Sequence, residues 1–197
     1  MARWLLILRK VLGGGGAFPH ELWWLLEFPG RRWLQSPEVL SGRLGLSPDS
    51  RVLEIGPGSG FFSVAIARRI TEGRLTLLDI QPEFLERARR RLEKAGFHRV
   101  ACIAADASAT PLPDASFDVA VMVHVLGEVG DRAACLREVV RVLKPGGILS
   151  VTERRADPDF IPRADLNRMA SAAGLQGAEC WGQRWAYTAN FTKAAPN

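Results

Sequence analysis

The sequence has few cysteines and no apolar run suited to a membrane. Its thiols, Cys102, Cys135 and Cys180, are odd in number, far apart and without a C-x-x-C pair. That argues against a thiolate zinc site, a redox couple and a disulfide framework, and it places the chain in a reducing, cytoplasmic setting. The apolar stretch at residues 4–8 is far below the ~20 residues of a membrane span, and no small-residue cleavage site follows it. It is expected neither to span nor to direct export. Apart from four consecutive glycines at 13–16 there is no low-complexity tract and no internal repeat.

What is present is an ordinary globular composition. The chain has 197 residues, 47% hydrophobic and 24% charged, and a single domain of that size buries roughly 70% of its unfolded surface without staples. The formal charge is +5, a balance that attracts nucleic acid or anionic membrane without choosing between them. Its distribution is more informative. Arg3, Arg9, Lys10, Arg31, Arg32 and Arg43 against Glu21, Glu27 and Glu38 put a net +3 in the first 44 residues, beside Trp4, Trp23, Trp24 and Trp33. The charge therefore marks an N-terminal arm, and nucleic acid is not expected as a partner.

Residues 1–12 read as a short helix with Trp4, Leu5, Ile7, Leu8, Val11 and Leu12 on one side and Arg3, Arg9 and Lys10 on the other. The four glycines after it form a flexible hinge. A second short helix, apolar on almost every side, is expected at 20–28 between Pro19 and Pro29, and Ser36-Pro37 starts a third over 38–44. From Ser50 apolar runs alternate with amphipathic stretches, the pattern of a parallel sheet built from βαβ units. Strands are expected at 51–55, 74–79, 99–104, 117–124 and 147–153. Helices are expected at 61–70, 82–95, 132–143 and near 162–173, and a closing hairpin at 176–181 and 184–192.

The segment Val52-Leu53-Glu54-Ile55-Gly56-Pro57-Gly58-Ser59-Gly60 puts a glycine turn where a buried strand gives way to a helix. Without a Cβ, glycine lets the backbone approach a ligand, and the next helix offers free N–H groups, so a nucleotide-like ligand fits. A dinucleotide fold needs a third glycine at position 61, which is Phe61, and no Gly-Lys-Ser/Thr of a phosphate loop follows.

With its glycines at 56, 58 and 60 behind Glu54, the sequence resembles the class I S-adenosylmethionine-dependent methyltransferases, in their small-molecule, quinone-type branch. The resemblance runs from about Leu46 to Thr192. Asp79, Asp106 in Ala105-Asp106-Ala107, the lead-in Leu112-Pro113-Asp114-Ala115-Ser116-Phe117-Asp118 and the turn Leu143-Lys144-Pro145-Gly146-Gly147 support it in order and register. It implies an α/β, Rossmann-like, seven-stranded, mostly parallel sheet with a C-terminal antiparallel hairpin and helices on both faces. Residues 1–45 would be a helical lid or arm and residues 46–197 the cofactor-binding domain. S-adenosylmethionine would be bound by Glu54, Ile55, Gly56, Pro57, Gly58, Gly60, Phe61, Asp79, Ile80, Asp106, Ala107 and His124, and leave as S-adenosylhomocysteine. Asp79 would meet the ribose hydroxyls and Asp106 the adenine amino group. From the residues alone, Asp79 also reads as a solvated turn or cap, and Phe61 and Phe62 as core staples of the first helix. No metal is expected.

Methyl transfer from a sulfonium is an in-line displacement, for which positioning alone is worth roughly 7–11 kcal/mol. Where the nucleophile carries a proton a base helps. The candidates are His124, ending the fourth strand, and Glu128 after it; the alternatives are packing or capping for His124 and a rim charge for Glu128. The strand end Val-His-Val-Leu lacks the Asn/Asp-Pro-Pro-Tyr/Phe of enzymes that methylate base amines. Cys102 and Cys135 read as small core residues, not as nucleophiles or arsenic ligands. The aromatic N-terminal arm suits an apolar, quinone-like or lipid-like acceptor. It has three places to pack: its own domain, a second copy in a homodimer, or, weakly through residues 1–12, an anionic bilayer. An RNA or protein methyltransferase and a silent cofactor-binding scaffold are the alternatives.

Overall fold

The computed structural model describes residues 35–177 and 179–195. The helices expected at 1–12 and 20–28, the glycine hinge and the four N-terminal tryptophans lie outside the described residues. The first described element, α1 (Pro37–Gly42), starts as its sequence dictates: Pro37 occupies the first turn and Ser36 Oγ accepts from Val39 N.

Five apolar runs form a parallel sheet because helices cover both of its faces. β1 (Arg51–Ile55) leads through α2 (Ser63–Ala67) to β2 (Arg74–Asp79), and α3 (Pro82–Lys94) leads to β3 (Val100–Ala104). β4 (Phe117–Val123) is followed by a 3₁₀ turn (Leu126–Glu128), α4 (Arg132–Val142) and β5 (Leu143–Arg154); then come α5 (Arg163–Ala172), β6 (Leu175–Gln176), β7 (Cys180–Gln183) and β8 (Ala186–Lys193). The sheet order is β3-β2-β1-β4-β5-β8-β6, with β7 also on β8. β8 lies antiparallel to β5, β6 and β7.

Alternate residues feed two cores. Leu53, Ile55, Ala120, Met122, Leu149 and Val151 point to the face covered by Leu136, Val139 and Leu166 of α4 and α5. Val52, Leu75, Leu77, Val119 and Val121 point to the face covered by Ile66, Leu85, Ala88 and Leu92 of α2 and α3. Phe84, Leu85, Ala88 and Leu92 form one stripe on α3, each large apolar side chain contributing about 1.5–3 kcal/mol when fully buried. Arg141 pins the loop before β4 by donating to Leu112 O at 2.7 Å, Asp114 Oδ1 at 2.5 Å and Glu138 Oε1 at 2.9 Å.

Several sequence expectations are corrected. Among the described residues the sheet has eight strands, not seven, because the strand beside β8 is split: Gln176 pairs with Thr192, Gly177 follows, and pairing resumes at Cys180 with Ala189. Helix α2 is only five residues long, not ten, since the glycine turn runs on through Phe62. β5 starts at Leu143, pairing with Phe117 before a register shift; regular pairing resumes at Val119 with Ile148. Cys135 is buried, but Cys102 is exposed because β3 is an edge strand. Among the described residues no helix is long and apolar enough to cross a membrane.

Phe191 of β8, 2% exposed, pairs with Leu149 in the ladder between β5 and β8. Phe191→Ala is expected to cost about 3–5 kcal/mol. Urea unfolding should show a lower midpoint at an unchanged slope.

Candidate functional site

β1 to β5 are parallel, so their carboxyl ends open on one edge, and the order reverses between β1 and β4. At such a reversal the connections leave toward opposite faces and open a crevice. The glycine turn sits there. Gly56 N donates to Leu78 O at 2.8 Å, and Gly56 has φ +65°. A Cβ on Gly56 would lie 2.4 Å from Val125 Cγ2, just past the end of β4. The far side of the turn rests on α3: Arg91 Nη1 donates to Ser59 O at 3.2 Å and Ser59 Oγ at 3.1 Å. Pro57 is buried, Phe62 is a core residue, and the half-buried Phe61 meets Phe62 edge-on at 5.0 Å.

Three carboxylates belong to the first three strand ends. Glu54 is 2% exposed, its Oε2 has no hydrogen-bond partner, and burial lifts its pKa to about 7 against the pull of the Ser63 hydroxyl. Asp79 is 7% exposed; burial raises it to about 6, although the N–H groups of Gln81, at 2.9 Å from Oδ1, and Ile80 favour its charged form. Asp106 is exposed and accepts from Ser108 N at 2.7 Å. Asp79 pairs with Ala104, and Ala105 N donates to Asp79 O, so the two aspartates end adjacent strands. Ile80 leaves an apolar side chain 56% exposed beside Asp79. Ile55 and Ala107 are buried in the core.

Across the reversal, β4 ends at Val123, one residue short of the expected range, and His124 follows it at φ +59°, a left-handed conformation unusual for a side chain with a Cβ. Its N donates to Thr152 O at 2.9 Å. Its ring, 15% exposed, puts Nδ1 2.7 Å from Asp157 Oδ2, with the N–H out of line for a hydrogen bond, and Nε2 2.8 Å from Gln35 Oε1. Burial pushes the Asp157 pKa up, but His124 and Arg154 more than offset this and hold it below the usual range. Glu153, at the end of β5, is buried with Oε1 unpartnered. Burial raises it to about 7, and the Asp157 and Glu128 charges add to the rise. Glu128 thus lies in the 3₁₀ turn beside this cluster. Among the described residues no group of three or more His, Cys, Asp or Glu is placed to hold a metal.

Sequence reasoning located the glycine turn, Asp79, Asp106, His124 and Glu128 on this edge, but missed Gln35, Glu153 and Asp157. Glu153 carried a usable signal, an acid closing an apolar strand, as in Glu54 and Asp79. Asp157 and Gln35 carried none, because only the fold brings them to His124.

Comparison with known proteins agrees with the fold. A methyltransferase domain model matches residues 53–151. A ubiquinone/menaquinone biosynthesis C-methyltransferase, UbiE, of Xanthomonas campestris pv. campestris is 39% identical over 120 residues, covering 57% of this chain and 46% of that protein. The UbiE of Shewanella halifaxensis is 36% identical over 111 residues, covering 55% and 44%. The match thus spans less than half the length of these relatives. Among solved structures, a SAM-dependent methyltransferase from Aquifex aeolicus superposes with a TM-score of 0.83 at 22% identity, covering 89% of this chain and 99% of that one. The [4+2]-cyclase SpnF superposes at 0.74 and 22%, covering 98% and 93%.

The Glu54 proton sets a pH dependence. Its ordinary pKa of 4.5 rises to about 7 on folding, so the folded state binds the proton more tightly. Stability falls as pH climbs from 4.5 to 7, by about 3 kcal/mol in all. Glu54→Gln stays neutral, so its Tm is expected to gain on the wild type between pH 5 and pH 8. Parallel Tm curves would show that Glu54 takes up no extra proton on folding.

Proposed function

The chain belongs to the methyltransferase domain family, and from that premise we propose that it moves a methyl group from S-adenosylmethionine to a small, apolar, quinone-type acceptor, releasing S-adenosylhomocysteine. The observation that carries this reading is the group at the β1–β4 reversal: a glycine turn backed by the buried Glu54, whose Oε2 has no partner, with Asp79 and Asp106 on the neighbouring strand ends. These residues fit the cofactor. A Cβ at Gly56 has no room beside Val125, so the turn stays bare, with Glu54 and Asp79 buried and Asp106 exposed at the ends of neighbouring strands.

When bound, S-adenosylmethionine supplies a methyl group on a sulfonium, ready for in-line displacement. In this reading the backbone of Gly56, Pro57, Gly58 and Gly60 lets the cofactor approach. Glu54 and Ile55 support that turn, Asp79 takes the ribose hydroxyls, and Asp106 and the backbone at Ala107 take the adenine edge. Ile80 and Phe61 offer apolar surface to the cofactor. His124 holds the proton that the acceptor gives up, with Glu128 as a second acid–base group on the rim. The curated relatives are C-methyltransferases of quinone biosynthesis, which favours a ring carbon as the methylated atom. Fold likeness alone does not settle chemistry, as the cyclase neighbour illustrates.

Residues 1–45 form the cover of the acceptor side in this proposal, and residues 46–197 the methyltransferase domain, working in the cytoplasm. The contact of Gln35 with His124 supports it, since this part of the N-terminal segment already lies beside the residue proposed as base. The arm is then available to a second copy or to an anionic bilayer. Wild-type protein is expected to bind S-adenosylmethionine and S-adenosylhomocysteine by calorimetry and to release the latter when supplied with quinols. Asp79→Ala should weaken cofactor binding at least tenfold while the protein stays folded. A folded wild type that binds neither compound would overturn the reading.

A further inference from the structure

Resting on that reading, we infer that Asp157 is a positioning residue: it fixes the ring of His124 so that Nδ1 carries a proton and Nε2 faces the acceptor as a proton-accepting nitrogen. Left-handed backbone at a histidine persists only where its surroundings over-determine it, and such residues gather at functional sites. Here the backbone is held by Thr152 O, and both ring nitrogens are in contact. A strand cap alone has no use for a ring with a carboxylate 2.7 Å from one nitrogen and a side-chain amide at the other.

The Asp157 carboxylate is itself immobilised. Arg154 Nη2 donates to Oδ1 at 3.3 Å, Asp157 N donates to Arg154 O at 3.0 Å, and Phe160 N donates to Asp157 O at 3.2 Å. The strap of residues 155–161 is tied at both ends: Arg155 N donates to Trp185 O at 2.7 Å and Tyr187 Oη to Ile161 O at 2.7 Å. It also packs so closely on the 3₁₀ turn that a Cβ on Gly127 would meet Asp159 O at 2.1 Å. A carboxylate accepts only, so the nitrogen facing it is the one that carries hydrogen. The other nitrogen faces the side-chain amide of Gln35, a group that accepts through oxygen or, turned over, donates through nitrogen. A phenolic hydroxyl has the same pair of capacities, so the hydroxyl of a quinol suits that position.

The proton movement balances. The acceptor's O–H bond breaks, its proton goes to Nε2 and its electron pair stays on oxygen. The electron-rich oxygen or a ring carbon then takes the methyl group as the sulfur–carbon bond breaks with its pair returning to sulfur. For carbon, the displaced ring hydrogen leaves as a proton to water and its C–H pair restores the aromatic ring. Asp157 balances the charge of the imidazolium that forms, the division of labour seen in serine-protease triads.

The test uses the full chain with labelled ring nitrogens and no acceptor. Three histidines are present, so His124→Gln assigns the signals. In the wild type, at a pH where the ring is neutral, long-range proton–nitrogen correlation is expected to show His124 protonated at Nδ1. In Asp157→Asn, Arg154 keeps the amide oxygen and the new N–H₂ faces Nδ1, so the ring proton is expected on Nε2. Asp157→Ala serves the same purpose if the asparagine variant is unstable. With a quinol that is turned over, Asp157→Asn should lower kcat at least tenfold with KM within threefold. A wild-type proton on Nε2, an unchanged ring in both variants, or an unchanged kcat would overturn the inference. Failure of the wild type to turn over any quinol would instead count against the proposed activity, because the ring measurement needs no acceptor.

Discussion

The close approach between the turn leaving β1 and the residue leaving β4 holds the molecule's chemistry in one place. Gly56 and Val125 are so near that a single Cβ on Gly56 would overlap the valine methyls. Hydrogen-bonded pairing of Ile55 with both Leu78 and Met122 brings those strand ends together; bare glycine backbone lets them close. His124 precedes Val125, so the residue leaving β4 lies next to the one that meets the glycine turn. Parallel strands on both sides then bring their own last residues to the same edge: Asp79 and Asp106 on one flank, Glu153 on the other.

The molecule's perturbed carboxylates divide into two electrostatic classes. Glu54, Asp79 and Glu153 have raised pKa values because burial dominates; the Arg132 charge only partly offsets it at Glu153. Asp118, beside Lys144, and Glu138, beside Arg141, are held below the usual range. The second class secures loops at the opposite ends of β4 and β5 and in front of β4. Its members behave as ordinary ionic fasteners, partly exposed and individually modest. The first class is destabilising at neutral pH, and the two cores on either face of the sheet must offset it. Local expense of this kind concentrates where a ligand is to be met. Asp157 belongs to neither class cleanly: burial works against its charge, and His124 with Arg154 keeps it.

How much of this was legible in the sequence follows from how local each feature is. β1 and β2 coincide with their sequence ranges because each is a run of apolar residues closed by an acid, and both signals lie within the strand. The glycine turn was legible for the same reason, but its length was not. The turn continues through Phe62 and shortens α2, and hydrophobic spacing over 61–70 does not distinguish the two. Cys102 was misplaced because an edge strand and a central strand of similar composition differ only in their neighbours. The split beside β8 and the contact of Asp157 with His124 depend on pairing and on a loop returning across the sheet. Neither leaves a periodic trace.

The family match ends at residue 151, and this boundary separates two kinds of chemistry. Every residue assigned to the cofactor lies inside it, on β1 to β4 and their exits. Gln35, the strap at 155–161 and the hairpin that holds Trp185 and Tyr187 lie outside it, and all converge on His124 or Glu153. In the proposed reading the shared half therefore presents the methyl donor, while the segments that flank it line the opposite wall. His124 is the one proposed site residue that belongs to both: it directly follows a strand of the shared half, and in the inference above its ring is positioned by Asp157 from the other. Differences in acceptor among proteins of this domain should then reside in such flanking segments, where a strap can change its carboxylate without disturbing the glycine turn that the sheet holds in place.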